Sequence, residues 1–394
     1  MDGALSGTRV LDFGRFIAGP FCAALLGDLG ADVIRIERPG GGEDRWVTPV
    51  ADDGTGALYF QCNRNKRSLT LAVGTAEGRE VVRRLVADSD VVVANLPPAT
   101  LAHLGLDDDT LRAIKPDIVL ATVTAFGAGG PWSGKVGFDG LAQAMSGSQY
   151  LSGSPGEPTR SYVPFVDYGT AAFTALATVA AIHHRARTGE GQVVETALLK
   201  TALTMSNSAV IEQALRKPDR VGSRNRSQVA GPADTFATRD GWVIAMAIGG
   251  SQFSRWCEMV GAPELVSDPR FATDETRGIH GEALSTIMAD WCAGRTSDEA
   301  LAAMEAHKVP GGPLYSPQQV LDDPHVAAIG FLAPTPQRAA AVTPPVSRFP
   351  ATMSASAPRE PGRAPDLGEH TDEILGELGY DDATIADLRD KGIL

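Results

Sequence analysis

The chain is short of positive charge: its 394 residues carry 35 Lys and Arg against 48 Asp and Glu, a formal net charge of −13. That deficit argues against nonspecific attraction to nucleic acid, so an anionic ligand has to be met by a local cluster of cations. Cysteine is equally sparse. Cys22, Cys62, Cys257 and Cys292 show no C-x-x-C spacing, which points away from a zinc ribbon or a disulfide framework and suits a reducing compartment. No run of 18 or more apolar residues occurs, and no basic stretch followed by an apolar segment opens the chain. The expectation is a cytoplasmic protein with neither signal peptide nor membrane span, and with no membrane or nucleic-acid partner. Also missing are a Walker loop, a G-x-S-x-G elbow and an H-E-x-x-H pair. His183 and His184 are adjacent, hence about 100° apart on a helix, and make a poor metal pair. No metal site is expected.

What is present is a strand–helix alternation. Residues 9–13 read as a buried strand, 20–29 as a helix with Pro20 in its first turn and Gly30 at its end, and 31–37 as a second strand. The pattern continues with strands at 68–73, 90–94 and 117–124 and helices at 76–87 and 109–114. A doubly wound, mostly parallel α/β sheet follows, with ligands expected beyond the C-terminal ends of its strands. A helix over 198–216 leads to an Arg-rich polar loop, Val221 to Gly231, where a domain change is expected. Residues 234–247 read as a hairpin around Arg239-Asp-Gly241, and helices over 251–260 and 281–293 complete a smaller α+β domain. The Pro-rich stretch 331–365 reads as an extended surface connector, and helices from Glu369 and Asp382 end the chain. The expected division is 1–215 as the N-terminal part of a large domain, 216–330 as the small domain, 331–365 as a return linker, and 366–394 as helices completing the large domain.

Two features invite chemistry. The β-α-β opening ends on Glu37 as a dinucleotide-binding unit does, but its first loop, Gly14-Arg-Phe-Ile-Ala-Gly19, lacks the G-x-G-x-x-G spacing that lets a pyrophosphate approach the backbone. Asp167, in Val163-Pro-Phe-Val-Asp-Tyr-Gly169, precedes a long Ala-rich helix that closes on Arg185-Ala-Arg-Thr-Gly-Glu-Gly-Gln192. An Asp there reads as a helix N-cap, or as a carboxylate kept ionised by the helix dipole and able to attack an activated acyl group. A cationic cluster, Arg35, Arg38, Arg45, Arg64, Lys66 and Arg67, is interleaved with Glu37, Glu43, Asp44, Asp52 and Asp53, and reads equally as a phosphate pocket or a solvated surface.

The Asp167 segment resembles that around the nucleophile of the family III CoA-transferases (CaiB/BaiF type), and the likeness extends over almost the whole chain. It includes Leu11-Asp-Phe with Ala18-Gly-Pro20, the run Leu29 to Arg38, Asn63-Arg-Asn-Lys-Arg-Ser-Leu-Thr70, Asp90 to Asn95, Thr124-Ala-Phe-Gly127, Val309-Pro-Gly-Gly-Pro313, Asp323-Pro-His325 and Ala364 to His370. The resemblance implies a Rossmann-like large domain formed by both chain ends, a smaller α+β domain, and an interlocked homodimer. It implies CoA-transfer from an acyl-CoA to a free carboxylic acid, with Asp167 as nucleophile, CoA as substrate and carrier, and no permanently bound cofactor. Positions matching the family's CoA contacts are Phe16, Ala18, Arg38, Lys66, Asn95, His103, Leu104 and Lys135, with His103 standing where the family usually has Arg. A small dicarboxylic donor such as succinyl-CoA is the expected acyl source. Backbone N–H groups of Gly129 and Gly130 are candidates for an oxyanion site, and the loop 222–231 for a water-excluding cover or a plain linker.

The alternatives are an α-methylacyl-CoA racemase and a noncatalytic CoA-binding protein. The racemase branch carries a Gly-His-Asp run, where this chain has Gly137-Phe-Asp139 and so lacks one of the two bases. The oxalate-using branch carries Gln where this chain has Ile17, which disfavours formyl-CoA:oxalate transfer.

Overall fold

The computed structural model describes residues 3–394, and they form two compact units. The first gathers the chain up to Ser146, Ser161–Ile211 and Ala328–Leu394. Its centre is a six-stranded sheet of β1 (Arg9–Asp12), β2 (Asp32–Glu37), β3 (Lys66–Thr70), β4 (Val91–Ala94), β5 (Val119–Thr124) and β6 (Val193–Ala197), in the order β3-β2-β1-β4-β5-β6. Every pairing is parallel. The strands are largely buried because a parallel sheet is covered on both faces, and only β4, Val-Val-Val-Ala, is apolar throughout. Alternation sends Leu11, Ile34, Ile36, Val92 and Leu120 to one face, and Val10, Val33, Val91, Val93 and Val119 to the other.

The connecting helices are α1 (Ala18–Asp28), α2 (Ala57–Cys62), α3 (Ala76–Ala87), α4 (Pro98–Leu104), α5 (Asp108–Ile114) and α6 (Asp139–Met145). The short α7 (Ser148–Ser152) belongs to the second unit; α8 (Phe165–Thr188) returns to the first, and α9 (Leu198–Arg216) runs from the first into the second. α1 and α8 pack on the Val10 face, α3 and α5 on the Leu11 face. Strand order reverses between β1 and β4, which opens a crevice at the C-terminal ends of those strands.

The second unit comprises Gly147–Arg160 and Glu212–Ala327. An antiparallel sheet of β7 (Ala233–Ala237), β8 (Trp242–Met246) and β9 (Gly311–Pro313) carries α10 (Gly250–Val260), α11 (Asp274–Ile279), α12 (Gly281–Ala293) and α13 (Ser297–Ala306) around buried Phe253, Trp256, Phe271 and Met288. Two short helices, α14 (Pro317–Asp322) and α15 (Pro324–Ile329), follow. The third strand is a Gly-Gly-Pro sequence with no strand propensity, placed by pairing with Val243–Ala245. Residues 147–160, assigned from sequence to the large domain, belong here, where Gly153 O accepts from Arg224 N at 2.8 Å and Ser154 Oγ from Arg224 Nε at 2.8 Å.

The stretch 331–365, expected as an extended surface connector, is mostly without regular structure and largely exposed or half-buried, yet it is fastened to the first unit. It forms the antiparallel pair β10 (Leu332–Pro334) and β11 (Pro345–Ser347), with Ala333 and Val346 buried. It is pinned by Gln61 Nε2 to Ser347 Oγ at 2.7 Å, Arg359 N to Asp28 O at 2.7 Å, and Gly362 N to Asn65 Oδ1 at 2.6 Å. The terminal helices α16 (Thr371–Glu377) and α17 (Asp382–Asp390) then add Ile374, Leu375, Ile385 and Leu388 to the Leu11 face of the sheet.

The cationic cluster lies largely inside this unit. Lys66 is buried, donating from Nζ to Asp12 Oδ2 at 2.7 Å, Pro20 O at 2.7 Å and Asn63 Oδ1 at 2.9 Å. Arg35 donates to Asp12, to Gly14 O at 2.6 Å and to Asp44 Oδ2 at 2.5 Å. Arg45 pairs with Glu37, and Arg64 with Asp28. Burial opposes ionisation of Asp12, but Lys66 and Arg35 outweigh it and hold the carboxyl below its ordinary value. Lys66→Ala leaves a buried carboxylate short of its nearest cation, and is expected to destabilise the first unit by about 3–5 kcal/mol, read from urea unfolding.

Candidate functional site

The crevice where strand order reverses is an open cleft of about 220 Å³. Its walls come from the loops after three strands: Arg15–Ala18 after β1, Asn95–Pro98 after β4, and Val123–Ala125 at the end of β5 with the later loop Ser133–Phe138. Asp167 from α8 and Leu198 from α9 complete it. The first loop is under strain. Phe16 has φ +59, a left-handed conformation uncommon for a bulky residue. It is held there because Asn95 brackets Arg15, its Oδ1 accepting from Arg15 N at 2.6 Å and its Nδ2 donating to Arg15 O at 2.7 Å. Gly14 and Gly19 permit the tight passage: a Cβ on Gly14 would lie 2.6 Å from the Pro20 ring, and one on Gly19 would lie 2.9 Å from Gly14 Cα.

Asp167 is not an N-cap. The helix begins at Phe165 with Pro164 as its cap residue, which places Asp167 in the first turn. The free N–H groups there are satisfied from another helix: Asp139 Oδ2 accepts from Val166 N at 2.8 Å and from Asp167 N at 3.1 Å. Asp139 Oδ1 accepts from Gln143 Nε2, and Gln143 Oε1 accepts from Ser161 N at 3.0 Å, closing the chain of bonds. Among the described residues, no side chain or backbone group donates to the Asp167 carboxylate. Burial, and then the charge of Asp139, push it up to about 7. The dipole-stabilised, low-pKa carboxylate expected from sequence is thus corrected: desolvation wins over the helix N-terminus. A carboxylate without hydrogen bonds in an apolar cleft is poorly solvated when ionised, which favours nucleophilic attack on an activated acyl carbon.

Of the residues singled out in the sequence, Phe16, Ala18, Asn95, Lys135 and Asp167 meet at the cleft. Lys66 does not: its ammonium is enclosed by Asp12, Pro20 and Asn63, with no free valence for a phosphate. Arg38 is exposed outside the cleft lining, bonded to Gly41 O at 2.8 Å and paired with Glu43. His103 is exposed near the end of α4, where its carbonyl accepts from Arg79, and Leu104 packs on the sheet core. Gly129 and Gly130 lie outside the lining, while Gly134 and Gly137 are part of it. Glu37, the acid of the dinucleotide pattern, is buried and bound to Arg45 at 2.6 Å. In the polar loop, Arg224 is tied to Ser154 Oγ at 2.8 Å within the second unit.

Sequence reasoning missed two participants. Arg15 lines the cleft, and its side chain donates to Gly14 O at 3.1 Å; no carboxylate among the described residues pairs with it. Asp139 entered only as the neighbour of a missing histidine. The rule that strand-end loops carry ligands pointed to Arg15, whereas nothing local in the sequence links Asp139 to Asp167.

The cleft at the strand ends brings two cations and an isolated carboxylate together, and comparison with known proteins gives the class of protein, a transferase. The model of CoA-transferase family III matches residues 5–371. The chain is 34% identical to the succinyl-CoA–D-citramalate CoA-transferase of Chloroflexus aurantiacus, over 99% of this chain and 98% of that protein. It is 35% identical to the succinyl-CoA:mesaconate CoA-transferase of Haloarcula marismortui, over 97% and 98% respectively. The crystal structure of a CaiB/BaiF family protein from Brucella suis superposes with a TM-score of 0.84 at 34% identity, covering 96% of this chain and 100% of that one. The chain belongs to CoA-transferase family III. It is a CoA-transferase, with a CoA thioester and a carboxylic acid as its class of substrates.

The raised Asp167 carboxyl has a stability consequence. Between its ordinary value of 3.8 and about 7 the folded state holds the proton more tightly than the unfolded state. Stability therefore falls as pH rises through that window, and the penalty is fully developed above 7. Asp167→Asn is expected to be more stable than the wild type at pH 8 by about 1–3 kcal/mol, and near wild type at pH 4, by denaturant titration at both pH values.

Proposed function

We propose that the protein moves CoA from a small dicarboxylic acyl-CoA, of the succinyl type, to a free carboxylic acid through covalent intermediates on Asp167. The Asp167 carboxylate attacks the thioester carbonyl, forming an aspartyl-acyl anhydride and releasing CoA thiolate. The thiolate attacks the aspartyl carbonyl of the anhydride, expelling the donor acid and leaving an aspartyl-CoA thioester. The acceptor carboxylate then attacks that thioester, and the freed thiolate takes up the acceptor acyl group, which restores Asp167. The thioester's energy is conserved in each exchange. The observation that carries this reading is Asp167 itself, half-buried at the cleft with no donor on its oxygens.

Arg15 and Lys135 support an anionic substrate, since they are the cations of the cleft lining. Lys135 Nζ sits 3.7 Å over the Trp132 ring, and the Trp132 ring meets Phe126 edge-on at 5.1 Å, so an aromatic shelf steadies that cation. The similar proteins named for succinyl-CoA favour a succinyl-type donor. Phe138 lines the cleft where a racemase needs its histidine, and it meets Phe16 edge-on at 5.6 Å. With one unpartnered carboxylate and no imidazole in the lining, two-base proton exchange has no second base.

A second copy of the chain is part of the proposal. The outer faces of α8 and α9 leave Phe173, Leu176, Leu203, Met205, Val210 and Ile211 exposed, with Leu176 67% accessible. An apolar face of that kind is covered in a stable homodimer. Size exclusion at nanomolar concentration is expected to show a dimer; a compact folded monomer on dilution would contradict it.

Asp167→Ala is expected to lose CoA transfer by at least about 10³-fold while retaining CoA binding, since it removes the nucleophile alone. Wild type incubated with succinyl-CoA and then hydroxylamine is expected to carry the hydroxamate on Asp167 and on no other carboxylate, by peptide mass spectrometry. Wild-type turnover in the variant would overturn the covalent route. Solvent deuterium entering the α-carbon of a 2-methylacyl-CoA as fast as CoA transfer would instead place the protein among the racemases.

A further inference from the structure

We propose that Asp139 is a positioning residue for Asp167: from α6 it clasps the first turn of α8 and sets a fixed negative charge beside the nucleophile. This rests on the reading of Asp167 as nucleophile. The geometry is a closed set of bonds. One carboxylate oxygen of Asp139 accepts from the N–H groups of Val166 and Asp167, the other accepts from Gln143, and Gln143 in turn accepts from Ser161 at the segment leading into α8. Asp139 is buried, and all of its donors are neutral amides, with no Arg or Lys in ion-pair distance among the described residues. Its charge is therefore left for its neighbour to feel.

Two consequences separate this role from a plain helix cap. A cap is supplied equally well by any acceptor, such as Asn or Ser. The charge acts on Asp167, adding to burial in holding the proton on and making the ionised form a stronger nucleophile near neutral pH. The other charged or titratable groups around Asp167 are Arg15 from the β1–α1 loop and Lys135 from the loop before α6, both in the cleft lining. Tyr168 follows it on α8, and its phenol is bonded to Cys62 of α2. The nearby lining from β5 and α9, Val123, Thr124 and Leu198, brings no charge. The like charge bearing on Asp167 is that of Asp139.

The test is the pH profile of kcat/KM for CoA transfer in Asp139→Asn and Asp139→Ser, each an acceptor without charge, with Asp139→Glu as the charge-retaining control. In the wild type the acidic limb is expected near pH 7, so that kcat/KM at pH 8 exceeds that at pH 6 by about tenfold. In either neutral variant the limb is expected to move down by about one unit, shrinking that ratio to about twofold, with a lower plateau above pH 8; Asp139→Glu is expected to keep the wild-type limb. A neutral variant that folds and keeps the limb near pH 7 overturns the proposal. Should both neutral variants fail to fold, the carboxyl infrared difference between wild type and Asp167→Asn, followed against pH with and without Gln143→Leu, reads the same coupling: an Asp167 titration unmoved when the Asp139 clasp is loosened also overturns it. If Asp167→Ala keeps full transfer, the nucleophile reading has failed. If Asp167→Ala is inactive and the neutral Asp139 variants keep the wild-type limb, only the role of Asp139 has failed.

Discussion

The buried carboxylate of Asp12 is the constraint on which the site's first wall depends. An ionised carboxylate taken out of water without compensation costs several kcal/mol, so the chain must bring cations to it. Lys66 from the start of β3 and Arg35 from β2 do so, and the same two side chains reach on to Pro20 O and Gly14 O. Three strands, the β1–α1 loop and the first turn of α1 are thereby tied at one point. The strained Phe16 conformation persists because Asn95, just after β4, brackets the neighbouring Arg15 on the other side.

Asp12 and Asp167 show one residue type set to opposite ends of its range by its surroundings. Asp12 sits among donors and cations and is held below its ordinary value. Asp167 has burial, a like charge and no donor, and rises to about 7. The first arrangement favours the folded state at neutral pH and the second opposes it, which is the pattern of a scaffold that stabilises itself around a locally unfavourable carboxylate. The apolar lining from Phe16, Ile17, Val123, Phe138 and Leu198 serves the same end, since a dry cleft keeps water from solvating the Asp167 carboxylate.

The cationic cluster between Arg35 and Arg67 shows how sequence proximity misleads. Read along the chain, it offered several cations for CoA phosphates. Folded, Arg35, Arg45, Arg64 and Lys66 each meet a buried carboxylate, and the cations that line the cleft are Arg15 and Lys135, from two loops 120 residues apart. The interleaved acids Asp44 and Glu37 were the sign of this for Arg35 and Arg45, whereas Asp28 and Asp12, the partners of Arg64 and Lys66, stand outside the cluster.

Much of the fold was legible because its signals are local. The apolar residues of β1, β2, β4 and β5, the Thr75 cap of α3 and the Gly30 that ends α1 each specify an element through backbone chemistry within a few residues, whereas α4 was not expected from sequence. The order of motifs along the chain pointed to the family, and to Asp167, for the same reason. The strand Gly311–Pro313, the packing of 331–365 onto α2 and the placement of 147–160 in the second unit were not legible, because each is decided by a partner far off in sequence against weak local propensity. So too with the candidate site. The sequence by itself determined that an aspartate stands at the head of α8. Only the tertiary structure decided that α6 brings Asp139 to its backbone, that no donor reaches its oxygens, and that its proton is held to about pH 7, since burial and charge are set by what surrounds a group in space.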